Sequence, residues 1–135
     1  MRPDQLVQLT ALAEARKARD LAELEAIVAE DRKLADAIEA YTKAPSQDLA
    51  DSAEIPFNQM ARRLEWADQN IALARQKRAE LASRIEELRK RAAVSLGKHE
   101  ALTQLTKRSL RQREEQSAAR TEREAPPRLG RPAEG

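Results

Sequence analysis

The chain has 135 residues, enough for one ordinary domain, yet 36% of them are charged and only 2% are aromatic. Ala, Leu, Glu, Arg and Lys dominate, a composition typical of long helices and coiled coils rather than of a thick globular core. The absence of cysteine excludes disulfides and thiolate metal sites, and a net charge of +2 is too small to argue for nucleic acid.

Residues 4–42 read as one helix. Pro3 suits a first helical turn, because its missing N–H would have no partner there. No Gly or Pro then occurs before Pro45. Leu24, Ile27, Leu34, Ile38 and Tyr41 fall on spacings of three, four and seven, the pattern of a coiled-coil seam, with Asp31 as the one interruption. The earlier half is less regular. Leu6, Leu9 and Leu12 are apolar, but Lys17 and Asp20 occupy the continued seam.

Residues 43–56, "KAPSQDLADSAEIP", read as a connector bounded by prolines, long for a simple turn. Asp51 and Glu54 have the spacing of a helix-capping box.

The second helix is expected over 57–122. Its seam alternates by three and four: Phe57, Met60, Leu64, Ala67, Ile71, Ala74, Arg78, Leu81, Ile85, Leu88, Ala92, Ser95, His99, Leu102, Thr106 and Ser109. The heptad holds through Leu102 and then fades. Gly97 is the weak point, since a mid-helix Gly costs about 1 kcal/mol relative to Ala. The tail, 123–135, is rich in Pro and Gly with almost nothing to bury, and is expected to be disordered.

Charge supports pairing the helices. Residues 4–42 hold nine acids and five bases, while 57–95 hold five acids and nine bases. The fold class is therefore all-α: an antiparallel two-helix coiled-coil hairpin with a longer second helix. Folding back at the connector sets residues whose numbers sum to about 99 opposite each other, which brings Asp20 near Arg78 as a polar register device. At about 1.5 Å per residue the first helix is roughly 58 Å long and the second roughly 100 Å. From Leu96 onward the second helix then lacks an intramolecular neighbour. That overhang is basic, with a thin apolar stripe of Leu96, Leu102, Leu105 and Leu110.

No catalytic constellation stands out. His99 is the single histidine and falls on the seam, where a tolerated polar residue is the ordinary explanation. Carboxylates elsewhere sit at helical spacings suited to i,i+4 pairing. Gly97-Lys98 lacks the rest of a phosphate-binding loop. The chain reads as a non-enzyme that needs no cofactor. Trp66 should face outward, either as a binding anchor or as a shield for the connector. Tyr41, Phe57 and Met60 are expected to plug the same end. No apolar run approaches the roughly 20 residues of a membrane span, and the N-terminus does not read as a secretory signal. A cytoplasmic protein is expected.

The stretch "ARQKRAELASRIEELRKRAAVSLGKHEALTQLTKRSLRQREEQ" resembles the flagellar export protein FliJ family and its counterparts in type III secretion. That family shows an arginine-rich helix followed by a Lys/Glu–Ala–Leu–x–x–Leu–x–x–Arg pattern. Here Lys98, Glu100, Ala101, Leu102, Leu105, Lys107 and Arg108 carry it. The resemblance spans about residues 4–116, although "LVQLTALAEARKARDLAELEAI" is similar in style only.

The resemblance implies a coiled-coil stalk of a hexameric export ATPase. Such a stalk contacts an export-gate membrane protein and export chaperones, and is cytoplasmic or peripheral at the inner-membrane export apparatus. Lys98, Leu102, Leu105, Lys107, Arg108 and Arg111 would then be held by the ATPase. Tyr41, Phe57, Met60 and Trp66 at the hairpin tip would face the gate. The alternative is a self-associating structural coiled coil, a homodimer formed through the overhangs, which Thr106 and Ser109 weaken. A nucleic-acid-binding helix is opposed by Glu114, Glu115 and Glu122. Membrane-surface binding is opposed by the interspersed acids and by the lack of a flanking aromatic.

Overall fold

A computed structural model describes residues 2–51 and 56–124 of the chain, with side chains described for 2–44 and 56–124. The fold is all-α: helix α1 spans Pro3–Asp51 and helix α2, the longer, spans Phe57–Glu124. Each N-terminus is closed locally. Arg2 caps α1: its carbonyl accepts from the Leu6 N–H at 3.0 Å, and its N–H donates to Gln5 Oε1 at 3.1 Å. Gln5 therefore plays the reciprocal part of a capping box, with Pro3 at the first helical position. Pro56 does the same for α2, its carbonyl accepting from the N–H groups of Gln59 and Met60 at 3.0 Å each.

Two boundaries differ from the sequence expectation. The first helix does not stop at residue 42 but continues through Pro45 to Asp51. Thr42 Oγ1 donates to the Ile38 carbonyl at 2.7 Å, and Lys43 pairs with Glu39 at 2.7 Å, so side chains support the turn leading into Pro45. An interior proline costs about 3 kcal/mol, yet α1 runs on for six residues beyond it. The second helix includes Arg123 and Glu124. Asp51, expected to open a capping box, is the last residue of α1, and Glu54, the rest of the expected connector up to Pro56 and the rest of the expected tail lie outside the described residues.

The chain divides into two compact units: a hairpin unit, residues 16–95, and a terminal unit, residues 1–15 with 96–135. In the hairpin unit the helices are antiparallel, because partners on α2 descend in number as those on α1 ascend. Asp20 meets Ser95, Glu23 meets Arg84 and Arg91, Asp31 meets Arg78, and Tyr41 meets Trp66. The seam follows the three-four spacing. Ala67, Ala74, Leu88, Ala92 and Ser95 are buried, and Ile71, Leu81 and Ile85 are half-buried between them. From α1, Asp20 is buried and Leu24, Ile27, Leu34 and Ile38 are half-buried. Leu88 is wholly inaccessible; burying such a side chain stabilises by about 1.5–3 kcal/mol. Small alanines on α2 keep the helices close, so the core is a narrow seam rather than a layer.

The register differs from the expected one. Facing residue numbers sum to between 107, for Glu23 with Arg84, and 115, for Asp20 with Ser95, not to 99. The cause is the longer first helix: the ends of the two helices, Asp51 and Phe57, themselves sum to 108. Asp20 and Arg78 therefore do not meet. Arg78 instead donates from Nε and from an η nitrogen to the two carboxylate oxygens of Asp31, at 2.9 and 3.3 Å.

In the terminal unit, Leu6 is buried, and Thr10, Ala13, His99, Leu102, Thr106 and Ser109 are half-buried on the same three-four spacing. The hydroxyls of Thr10 and Thr106 share a hydrogen bond at 3.2 Å. The expected overhang beginning at Leu96 is corrected accordingly. Residues 3–10 stand against 106–113, and the stretch in which every residue is exposed is 110–124.

Candidate protein-interaction surfaces

Among the described residues, no three or more His, Cys, Asp or Glu side chains gather where they could hold a metal ion. No helix is long and apolar enough to cross a membrane among those residues. What the two units offer is surface.

The hairpin unit holds its polar groups in pairs. Asp31 and Arg78 are fixed by two hydrogen bonds. These hold the Asp31 carboxyl below its ordinary value and raise Arg78 above its own. Arg84 donates to Glu23 at 3.0 Å and to Glu87 at 3.2 Å, and Arg91 reaches Glu23 at 3.6 Å. Asp20 is 1% exposed and accepts a hydrogen bond from Ser95 Oγ through Oδ2. Its Oδ1 has no hydrogen-bond partner, with Arg19 Nε at 3.9 Å. A buried carboxylate held by one hydroxyl is costly and position-specific, so Asp20 and Ser95 disfavour any register that separates them.

The tip residues behave differently from one another. Tyr41 and Met60 are half-buried. Trp66 faces outward as expected, 56% exposed, while its ring meets Tyr41 edge to face with centroids 5.3 Å apart and planes at 82°. It thus shields Tyr41 and presents an open face. Phe57 does not plug the tip: it is 88% exposed as the first residue of α2. Leu64 and Leu73 add exposed apolar surface on α2.

The terminal unit exposes apolar residues beside its charged ones. Of the six residues expected to hold the ATPase, Leu102 lies on the seam and is half-buried. Lys98, Leu105, Lys107, Arg108 and Arg111 are exposed. They do not form one face: Lys98, Leu105 and Arg108 follow one another at helical spacings, whereas Lys107 and Arg111 lie on the back of α2. On one flank of the seam, Pro3, Leu6, Val7, Thr106, Ser109 and Leu110 line a groove of about 210 Å3. Leu9 and Leu12, grouped by sequence with Leu6, are not seam residues. Both are exposed, Leu12 by 68%, on the flank away from Val7. The signal for this was present: the seam extended backward from Leu24 passes through Asp20, Lys17, Ala13, Thr10 and Leu6 and misses both leucines.

Set against known protein families, curated proteins and solved structures, the chain matches none.

Proposed function

We propose that the chain is a non-enzymatic coiled-coil component of a bacterial flagellar (type III) protein export apparatus. In this reading it is a stalk-like binder of the hexameric export ATPase that also contacts the export gate and the export chaperones. The observation that carries the reading is the exposure, in the terminal unit, of the stretch that resembles FliJ. Lys98, Leu105, Lys107, Arg108 and Arg111 all face solvent while Leu102 is kept for the seam. The resembling residues are thus divided between building the helix pair and remaining open to a partner. The gate is assigned to the tip of the hairpin unit, where Phe57 and Trp66 are open, Trp66 meets Tyr41, and Met60 is half-buried.

The test is hydrolysis and assembly of purified export ATPase with the full chain added. Binding, with promotion of the hexamer, supports the reading; an ATPase that neither binds the chain nor responds to it overturns it.

A second reading, a self-associating structural coiled coil, has one observation in its favour. The groove between Val7 and Leu110 is apolar, and the residues lining it include both Asp4 and Arg113, a charge pair that a two-fold axis can satisfy. Sedimentation equilibrium decides it. A dimer that dissociates on Val7→Ser with Leu110→Gln favours self-association, and a concentration-independent monomer removes it.

A further inference from the structure

We infer that the flank of the terminal unit carrying Leu9, Leu12, Ala101 and Leu105 is a docking face for an acidic amphipathic helix of a different protein. The argument begins with position. Val7 and Leu110 line one groove and so share one side of the seam. Leu9 and Leu105 stand on the other flank of their helices, and with Thr10 and Thr106 in contact between them they share the opposite side. Leu12 and Ala101 continue each line by one step, and all four are exposed. Two apolar rows on neighbouring helices form a ready seat for a third helix.

Charge names the occupant. Lys98 precedes Ala101 by three residues and Arg108 follows Leu105 by three, so both cations border the same row. Neither has an ion-pair partner among the described residues, and the row holds no acid from 98 to 112. The hairpin unit shows what this flank of α2 ordinarily takes. There it carries Arg84 and Arg91, and Glu23 from the same flank of α1 satisfies both. In the terminal unit the equivalent position of α1 is Leu9, which leaves Lys98 without its carboxylate. Two-fold pairing that brings Ala101 of one copy against Leu105 of another sets Lys98 against Arg108, base against base, so a second copy cannot join the apolar row and supply the carboxylate at once. A helix with Glu or Asp beside an apolar stripe meets both requirements.

The identity of the partner as the export ATPase rests on the function proposed above; the chemistry of the face does not. The test uses the full chain and a labelled synthetic amphipathic helix with Leu on its seam and Glu beside it, compared with a Lys-flanked counterpart. Fluorescence anisotropy is expected to show binding of the Glu peptide only. That binding should weaken about tenfold or more for Leu12→Gln with Leu105→Gln, and shift to the Lys peptide for Lys98→Glu with Arg108→Glu. Val7→Ser with Leu110→Gln, on the opposite flank, should bind as the parent does. Unchanged melting temperatures show that the variants fold. No binding, equal binding of both peptides, or indifference to Leu12 and Leu105 overturns the inference. Capture of export ATPase without binding of the Glu peptide overturns the inference while leaving the stalk reading standing. Peptide binding without ATPase capture does the reverse.

Discussion

The hairpin unit and the terminal unit are built from the same two helices on the same three-four spacing, yet they fill the seam differently. In the hairpin unit large apolar residues fill most of the seam, Leu88 to complete burial, while Leu21, Leu64, Leu73 and Val94 are exposed; the flanking Arg84 and Arg91 are taken by Glu23, and Arg78 on the seam by Asp31. In the terminal unit the seam is filled mostly by Thr, Ser, Ala and His around Leu6 and Leu102, while Val7, Leu9, Leu12, Leu105 and Leu110 stand outside. Both units expose apolar residues; the hairpin unit also builds its seam from large ones, and the terminal unit largely does not.

The largest expected effect lies in the hairpin unit. Leu88→Ala should cost about 2–5 kcal/mol in urea unfolding followed by circular dichroism, because a two-helix seam has few atoms to collapse into the cavity. A loss below about 1 kcal/mol would mean that the seam is not where stability resides. Next comes Ser95→Ala, which deprives the Asp20 carboxylate of its hydrogen-bond donor and should cost about 1–3 kcal/mol. Adding Asp20→Leu to that variant should recover the loss, since an apolar pair replaces a buried polar one.

Gly97→Ala acts in the other direction. A Cβ there meets nothing within 4 Å, so α2 should gain about 1 kcal/mol. A smaller effect with a pH signature is expected from Arg78→Ala. The Asp31 carboxyl is held below its ordinary value of 3.8 by the Arg78 hydrogen bonds. The pair therefore contributes fully above that value, and the contribution is lost as pH falls through the lower, folded-state value. The melting-temperature gap between parent and variant should be constant near neutral pH and close in acid. Smallest of all is Leu105→Gln, which should change unfolding free energy by no more than about 0.5 kcal/mol while weakening the acidic peptide. A large loss of stability there would erase the contrast between the units.

The seam of α2 was legible in the sequence from Ala67 onward, whereas Phe57 and Leu64, on the same line, are exposed. All five buried positions, Ala67 to Ser95, lie on the line drawn by spacing alone, and the half-buried Thr106 and Ser109 extend it. Register was not legible, because a heptad repeats: sliding one helix by seven residues restores the same apolar pattern. The fold-back point then rested on Pro45, read as a breaker, and the helix passing through it moved every partner by roughly ten residues. A first helix ending before Pro45 likewise implies an overhang from Leu96. Leu9 and Leu12 group with Leu6 by hydrophobicity alone, which marks leucine without marking its face. The two-sided role of Trp66 depends on Tyr41 across the seam, a contact no local pattern encodes.

The most direct test of the division of labour is hydrogen exchange of the full chain, alone and with hexameric export ATPase, read peptide by peptide. The account predicts new protection in residues 2–15 and 96–112, with exchange in 16–95 unchanged. Protection gained instead around Tyr41, Phe57 and Trp66, or none anywhere, would contradict it.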